Sequence, residues 1–407
     1  MSHRSRWEYF RAVYGRYRQA DRKRKPVILD EFCANTRYHR KYAIRLLNGP
    51  VPERTKPPLR RRRSPSYSPA VIAVLARLWE AAGYPWSVRL KALVSLWRPW
   101  IQKRFHLSAG VQRQLEAISA RQIDRRLRAR KQQVKRRCYG RTKPGAFPST
   151  ALRDGERSRT VLKHQIPVKT DAWDVRVPGF TEVDWVSHSG NAASGEFAYS
   201  LNVTDIHTTW TETGAVLGKG ETAVRDQLEE IASALPFRLL GLDSDNGSEF
   251  INWHLGRWCA KRDIQWTRSR PYKKDDNAHI EQKNWTHVRK LLGWDRYDTP
   301  EAVEAINDLY RNELRLWMNL FQPSVKLVKK VRVGSRVRRV YGPAETPLDR
   351  VLASEVVEPE RADALRALRR SLDPFALARV IERKLERIYA LADRRLSPKL
   401  PTRSVTF

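Results

Sequence analysis

Between residues 180 and 293 the sequence passes through three strand-like stretches, a helix-like one, then strand, helix, strand and helix, an order that restricts the fold more than any other feature of the chain. The strand patterns fall at 181–186, 197–204, 210–216, 239–242 and 264–267, and the helical periodicities at 221–234, 249–262 and 277–292. That order implies a mixed sheet covered by helices. A further helix over 300–318 extends it.

The flanks differ in charge. The chain has 407 residues, with 79 Lys and Arg against 44 Asp and Glu and a formal net charge of +35. Residues 1–150 hold 37 basic and 8 acidic side chains, whereas residues 171–300 hold 15 and 20. A basic arm, a slightly acidic middle and a basic tail fit a chain that grips a polyanion at both ends and performs carboxylate-dependent chemistry between them, with nucleic acid as the polyanion. A mean hydropathy of -0.64, and no run of ~18 apolar residues, exclude a membrane-spanning protein. The N-terminal MSHRSRWEYF lacks the apolar stretch of a secretory signal, so the expected location is cytoplasmic. Cys33, Cys138 and Cys259 are too far apart in sequence for a CxxC metal site or a disulfide framework.

Residues 26–49 read as two short helices with a turn at Ala34-Asn35-Thr36. Thr36 can cap the second helix, which then opens on Arg37, Tyr38, His39, Arg40 and Lys41, where a helix-turn-helix presents its groove-reading side chains. Arg37, Arg40 and Lys41 are therefore candidate DNA contacts, with a plain helical hairpin bearing a solvated basic face as the alternative. Residues 51–68 have linker composition, and Arg60, Arg61, Arg62 and Arg63 would track phosphates without reading sequence. A second helical block over 69–137 ends in LEAISARQIDRRLRARK, where Ile118 closes one helix, Ser119 caps the next, and Arg121, Arg125 and Arg126 decorate it. This too resembles a helix-turn-helix. Residues 138–172 form a second linker, 173–320 the mixed-sheet segment, and 321–357 a small β-module in which Val alternates with Lys or Arg around Gly334-Ser335. Within the helical tail over 358–407, Leu377, Val380, Ile381, Leu385, Ile388 and Leu391 form an amphipathic stripe.

Three acidic residues stand out. Asp184 lies inside the strand TEVDWV, where a carboxylate is costly unless it binds something. Asp245 follows the apolar LLGL and begins Asp-Asn-Gly, so it projects from the C-terminal end of a strand. Glu281, separated from Asp245 by 35 residues, shares a helical face with Trp285, Val288 and Leu292. Asp243 is a rival without the following turn, Asp205 reads as a turn residue, and Trp210 and Trp258 read as core. His279 and His287 flank Glu281 at phosphate-contact distance or lie on the surface. Asn277, Lys283 and Lys290 are further candidate DNA contacts.

Asp184 in EVDW, Asp245 in DNGSEF, the interval to Glu281, and Glu281 in NAHIEQKN together resemble the DDE catalytic core of retroviral integrases and related insertion-sequence transposases. The resemblance covers about residues 173–318, and the following FQPSVKLVKKVRVGSRVRRVY is similar to the short basic module behind the core of some bacterial transposases. The His/Cys zinc domain that opens retroviral integrases has no counterpart, so the transposase branch is the better match. The resemblance implies an RNase H-like core that binds double-stranded DNA at the element's terminal repeats, hydrolyses 3′ ends and transfers them to target DNA as a homo-oligomer. Asp184, Asp245 and Glu281 would be its catalytic and metal-binding residues. Residue chemistry agrees: phosphodiester transfer with two Mg²⁺ or Mn²⁺ ions ~3.5 to 4 Å apart needs hard oxygen ligands from several directions. A nuclease of the same fold that does not join ends, and a DNA-binding regulator with an inactive core, are the alternatives.

Overall fold

In the computed structural model of the chain, five strands form one mixed sheet in the order β3-β2-β1-β4-β5: β1 Phe180–Ser187, β2 Ala198–Asp205, β3 Thr211–Leu217, β4 Gly241–Ser244 and β5 Gln265–Arg268. The structure describes residues 1, 3–51, 67–133, 166–167, 176–192, 194–218, 220–245, 247, 250–269 and 278–393. The first three strands pair antiparallel, while β4 runs parallel to both β1 and β5, because each is entered through a helical crossover. All five strands expected from the sequence form, with ends displaced by one or two residues. The helix Glu221–Ala234 leads into β4, and the helix Trp253–Lys261 leads into β5. The latter starts later than the expected 249 because Asn252 caps it, accepting a hydrogen bond from the Leu255 amide at 2.8 Å.

The chain divides into two compact units, Met1–Ser66 and Tyr67–Phe407. In the first, the helices His3–Gln19, Arg24–Thr36 and Arg40–Asn48 close around Phe10, Val13, Phe32 and Leu47, with the Tyr9 and Phe32 rings stacked at 5.9 Å. The turn lies beyond the expected Ala34-Asn35-Thr36. Buried Thr36 donates to the Phe32 carbonyl at 2.6 Å, one turn back, and so extends its helix instead of capping the next. Arg37 turns the chain in the left-handed region at φ 55°, and His39 is the cap, its Nδ1 accepting from the Lys41 amide at 3.3 Å. Arg37, Arg40 and Lys41 are exposed, and Arg40 pairs with Asp30. Arg60, Arg61, Arg62 and Arg63 lie outside the described residues.

The second unit includes the described part of the helical block over 69–137. Its helices Pro69–Ala81, Ser87–Leu96, Arg98–Phe105, Ala109–Ala117 and Ala120–Gln133 share one hydrophobic core with the sheet and the C-terminal helices. The reason is visible at Trp97, a fully buried side chain too large for short helices to cover alone. It packs edge-on against Phe375 at 5.2 Å and Phe321 at 6.5 Å, and its Nε1 donates to the Phe321 carbonyl at 3.1 Å. Within the block Ser119 caps the helix Ala120–Gln133, accepting from the Gln122 amide at 3.3 Å. Arg121 and Arg125 are exposed along that helix, and Arg126 lies over the Tyr67 ring.

The helix expected over 300–318 is α-helical at Pro300–Leu309 and continues through π-helical turns at Tyr310–Leu314 and Trp317–Phe321. It is followed by the hairpin β6 Ser324–Val333 and β7 Arg336–Glu345. Helices Pro347–Ala353, Pro359–Ser371 and Pro374–Ala390 complete the described chain, and the last buries Leu377, Ile381, Leu385 and Ile388 in the shared core. Among the described residues, no helix is long and apolar enough to cross a membrane.

Candidate active site between β1 and β4

The register of the sheet brings two of the three predicted carboxylates together. Val183 of β1 lies opposite Ser244, the last residue of β4, so the next residues along, Asp184 within β1 and Asp245 just past β4, fall side by side. Neighbouring strands are ~4.8 Å apart, close enough for two carboxylates to share a ligand. Asp245 also shapes its own turn: its Oδ1 accepts the Gly247 amide at 2.8 Å.

The helix carrying Glu281 runs over Ala278–Lys283, through a π-helical turn at Asn284–Arg289, into Lys290–Leu292. Two hydrogen bonds hold it against β1, one on either side of Glu281 in sequence. The Ile280 amide donates to the buried Glu182 Oε2 at 3.0 Å, satisfying a backbone donor in the helix's first turn. Four residues on, the Asn284 Nδ2 donates to Asp184 Oδ2 at 2.6 Å. Asn284 is itself oriented by strand β2: its Oδ1 accepts from Asn202 Nδ2 at 2.6 Å, and Asn202 Oδ1 accepts from the Thr213 hydroxyl at 2.7 Å. A polar chain from β3 through β2 to the helix thus fixes the rotamer of Asp184. We expect Asn284→Ala to lower the activity of the site by about 10- to 100-fold, the scale for losing a group that orients a ligand. Turnover measured alongside a melting curve separates that loss from unfolding.

Glu281 itself is exposed at the rim of this arrangement, as is Trp285, while Val288 and Leu292 are fully buried. The expected common face is broken because a π turn inserts an extra residue and rotates the rest of the helix. Among the described residues, no group of three or more His, Cys, Asp or Glu side chains closes into a metal-binding cluster. The donor types nevertheless suit a hard divalent cation, being carboxylate oxygens on β1, just past β4, and on a helix latched to β1.

Other predicted residues fall elsewhere. Lys283 is buried, contrary to a role in contacting DNA; its Nζ donates to the Thr209 carbonyl at 3.0 Å, and burial holds its ammonium down to about 7. Facing inward was its only option, since Ile280, Lys283 and His287 form the helix stripe that meets the core. His287 is likewise buried rather than at the surface, and desolvation pushes its imidazole well below the usual range. Lys290 donates to the Gly83 carbonyl of the helical block, so its ammonium is engaged within the protein. Asn277 and the His279 side chain lie outside the described residues. Asp243, the rival to Asp245, is fully buried and accepts the Thr267 hydroxyl at 2.6 Å, which takes it away from the rim. Asp205 organises the turn after β2, accepting the Gly179 amide at 2.7 Å and the Thr208 amide and hydroxyl at 2.6 Å each. Trp210 and Trp258 are core, each donating Nε1 to a carboxylate, Glu212 at 2.8 Å and Glu229 at 2.6 Å. Sequence reasoning missed Glu182, Asn202 and Asn284. Glu182 carried a usable signal, because it alternates with Asp184 onto the same face of a strand otherwise apolar.

No protein-family model matches the chain. It is 38% identical over 353 residues, 85% of its own length and 95% of the relative's, to a protein of Sinorhizobium fredii (strain NBRC 101917 / NGR234) described as uncharacterized protein y4rM. Among solved structures it is similar to the catalytic core domain of BIV integrase, at 15% identity over 44% of this chain and 95% of that one, with a TM-score of 0.30, too low to establish a shared fold by itself.

Proposed function

We propose that this chain, which belongs to the same family as the Sinorhizobium fredii protein y4rM, is a DNA transposase with an RNase H-like core and a DDE active site made of Asp184, Asp245 and Glu281. The observation that carries the reading is the register that sets Asp184, midway along β1, beside Asp245, just past the end of the parallel β4, with the Glu281 helix latched to Asp184 through Asn284. Strand order β3-β2-β1-β4-β5, antiparallel on one side and parallel on the other, supports the same core. The three carboxylates would hold Mg²⁺ or Mn²⁺, which when bound activates a water or 3′-hydroxyl and stabilises the leaving oxygen. Asn284 keeps Asp184 aimed at the site, and Glu182 fixes the start of the helix.

Recognition of element ends would fall to the helix pairs Arg24–Thr36 with Arg40–Asn48, and Ala109–Ala117 with Ala120–Gln133, acting as helix-turn-helix elements. Arg37, Arg40, Lys41, Arg121 and Arg125 are exposed on them. The protein would work as a homo-oligomer on double-stranded DNA at the bacterial nucleoid.

The test uses purified full-length protein and duplexes carrying the inverted repeats that flank its gene. With Mg²⁺ or Mn²⁺ we expect 3′-end cleavage and joined products, with Ca²⁺ binding alone, and after chelation neither cleavage nor joining. Turnover that survives exhaustive chelation overturns the metal-dependent reading, and cleavage without joined product reduces the protein to a nuclease.

A further inference from the structure

The hairpin of β6 and β7 stands clear of the core. Every residue from Leu327 to Arg339 is exposed, including Val328 at 65% and Val333 at 62%. Its ten-residue strands reach roughly 33 Å at ~3.3 Å per residue. No acidic residue occurs between Ser324 and Ala344.

The placement of the cations decides what can cover such an arm. From Lys329 to the turn the register is regular: Lys329 opposite Val340, Lys330 opposite Arg339, Val331 opposite Arg338, Arg332 opposite Val337 and Val333 opposite Arg336. Alternation therefore places Lys329, Arg336 and Arg338 on one face and Lys330, Arg332 and Arg339 on the other. Like charges facing each other, as at Lys330 and Arg339, destabilise a bare hairpin. A second copy would repel it along its whole length. A membrane or a flat acidic surface would neutralise one face and leave three cations stranded on the other. A groove with phosphates along both walls neutralises both.

The major groove of B-form DNA, about 12 Å wide, admits a two-stranded ribbon. The A-form major groove is too deep and narrow for side chains to read. The length of the ribbon is close to one helical turn of about 34 Å. The root is held firmly: Arg350 Nη1 donates to the Ser324 hydroxyl at 2.9 Å and to the Thr209 hydroxyl at 2.7 Å, and Lys326 Nζ donates to the His207 carbonyl. We propose that the β6–β7 ribbon is an arm that enters the major groove of duplex DNA, one row of cations facing each phosphate wall. This binding goes beyond the reading of the carboxylate site, since it needs no cleavage.

Two triple variants of the full-length protein test it, Lys329→Gln with Arg336→Gln and Arg338→Gln, and Lys330→Gln with Arg332→Gln and Arg339→Gln. Each is titrated without divalent ions against a random-sequence DNA duplex over a series of salt concentrations. Each face contributes three phosphate contacts, so in both variants the slope of log affinity against log salt should become shallower by about 2.7. A loss confined to one face means that the ribbon lies flat on its partner, and no loss in either means that it is merely solvated; both results overturn the proposal. An RNA duplex of the same sequence should bind the variants and the parent alike, and an equal loss there overturns major-groove entry. The replaced side chains are exposed, so unchanged melting curves are the control. Cleavage by the parent protein, measured separately, keeps the fate of this arm apart from that of the active site.

Discussion

Asp184→Asn, Asp245→Asn and Glu281→Gln should each abolish cleavage and joining, by on the order of 10³-fold or more, because groups acting as one catalytic unit fail together when any member is lost. DNA binding should persist, since none of the three changes removes a cation. The structure also supplies a control. Asp243 lies two residues before Asp245 but is fully buried and bonded to Thr267. Asp243→Asn should cost stability and leave the folded fraction active, and a melting curve beside the cleavage assay distinguishes the two effects. Near-parental joining by any of the first three variants removes that residue from the site.

The second large effect is on stability. Glu212 of β3, 4% exposed, accepts from Arg315 Nε at 3.0 Å and Nη2 at 2.8 Å and from Trp210 Nε1 at 2.8 Å, while Arg315 Nη2 also donates to the Ala234 carbonyl at 2.9 Å. Arg315→Met leaves a buried carboxylate without its counter-ion and should destabilise the second unit by about 3 to 5 kcal/mol. Burial already holds the Glu212 carboxyl above its usual 4.5, against the pull of Arg315. A folded-state value raised above the unfolded one gives stability that is complete in acid and is lost as pH rises through the folded value. Without Arg315 the folded value rises further, so the deficit should be small below about pH 4.5 and should grow toward neutrality. Denaturant unfolding at acid and neutral pH checks this. Replacing the partner as well, Arg315→Met with Glu212→Leu, should recover much of the loss, because no charge is then left stranded.

The central sheet was legible in the sequence because its strands are short apolar runs bounded by turn residues, a pattern that depends on nearest neighbours along the chain. Asp184 and Asp245 were legible for a related reason, as carboxylates where a strand should be apolar or should end. Other features were hidden. The turn beyond Thr36 depends on a hydroxyl choosing the carbonyl behind it over the amide ahead. The parting of exposed Glu281 from buried Val288 and Leu292 depends on a π turn between them that no 3.6-residue periodicity anticipates. Asn284 matters through a hydrogen bond to a strand 100 residues earlier, and an asparagine in a polar helix gives no sign of such a partner. The inward turn of Lys283 was hidden because charge suggested surface, whereas the neighbouring pattern of Ile280, His287 and Val288 governed which way it faced.

Trp97 carries a consequence for how such a protein can diversify. Its ring is sealed by Phe321 and Phe375, and Trp100 reaches the Leu372 carbonyl at 2.7 Å, so the helical block behind residue 67 and the five-stranded sheet cannot be parted without opening a shared interior. A fragment beginning near residue 173 would present those two phenylalanines to water and should aggregate, whereas a break near residue 67 leaves the clusters around Phe10 and around Trp97 each whole among the described residues. Replacing the first three helices by those of a relative should therefore leave the core around Trp97 whole, while the Ala109–Gln133 region must change by point substitution, in step with the interior it helps to build.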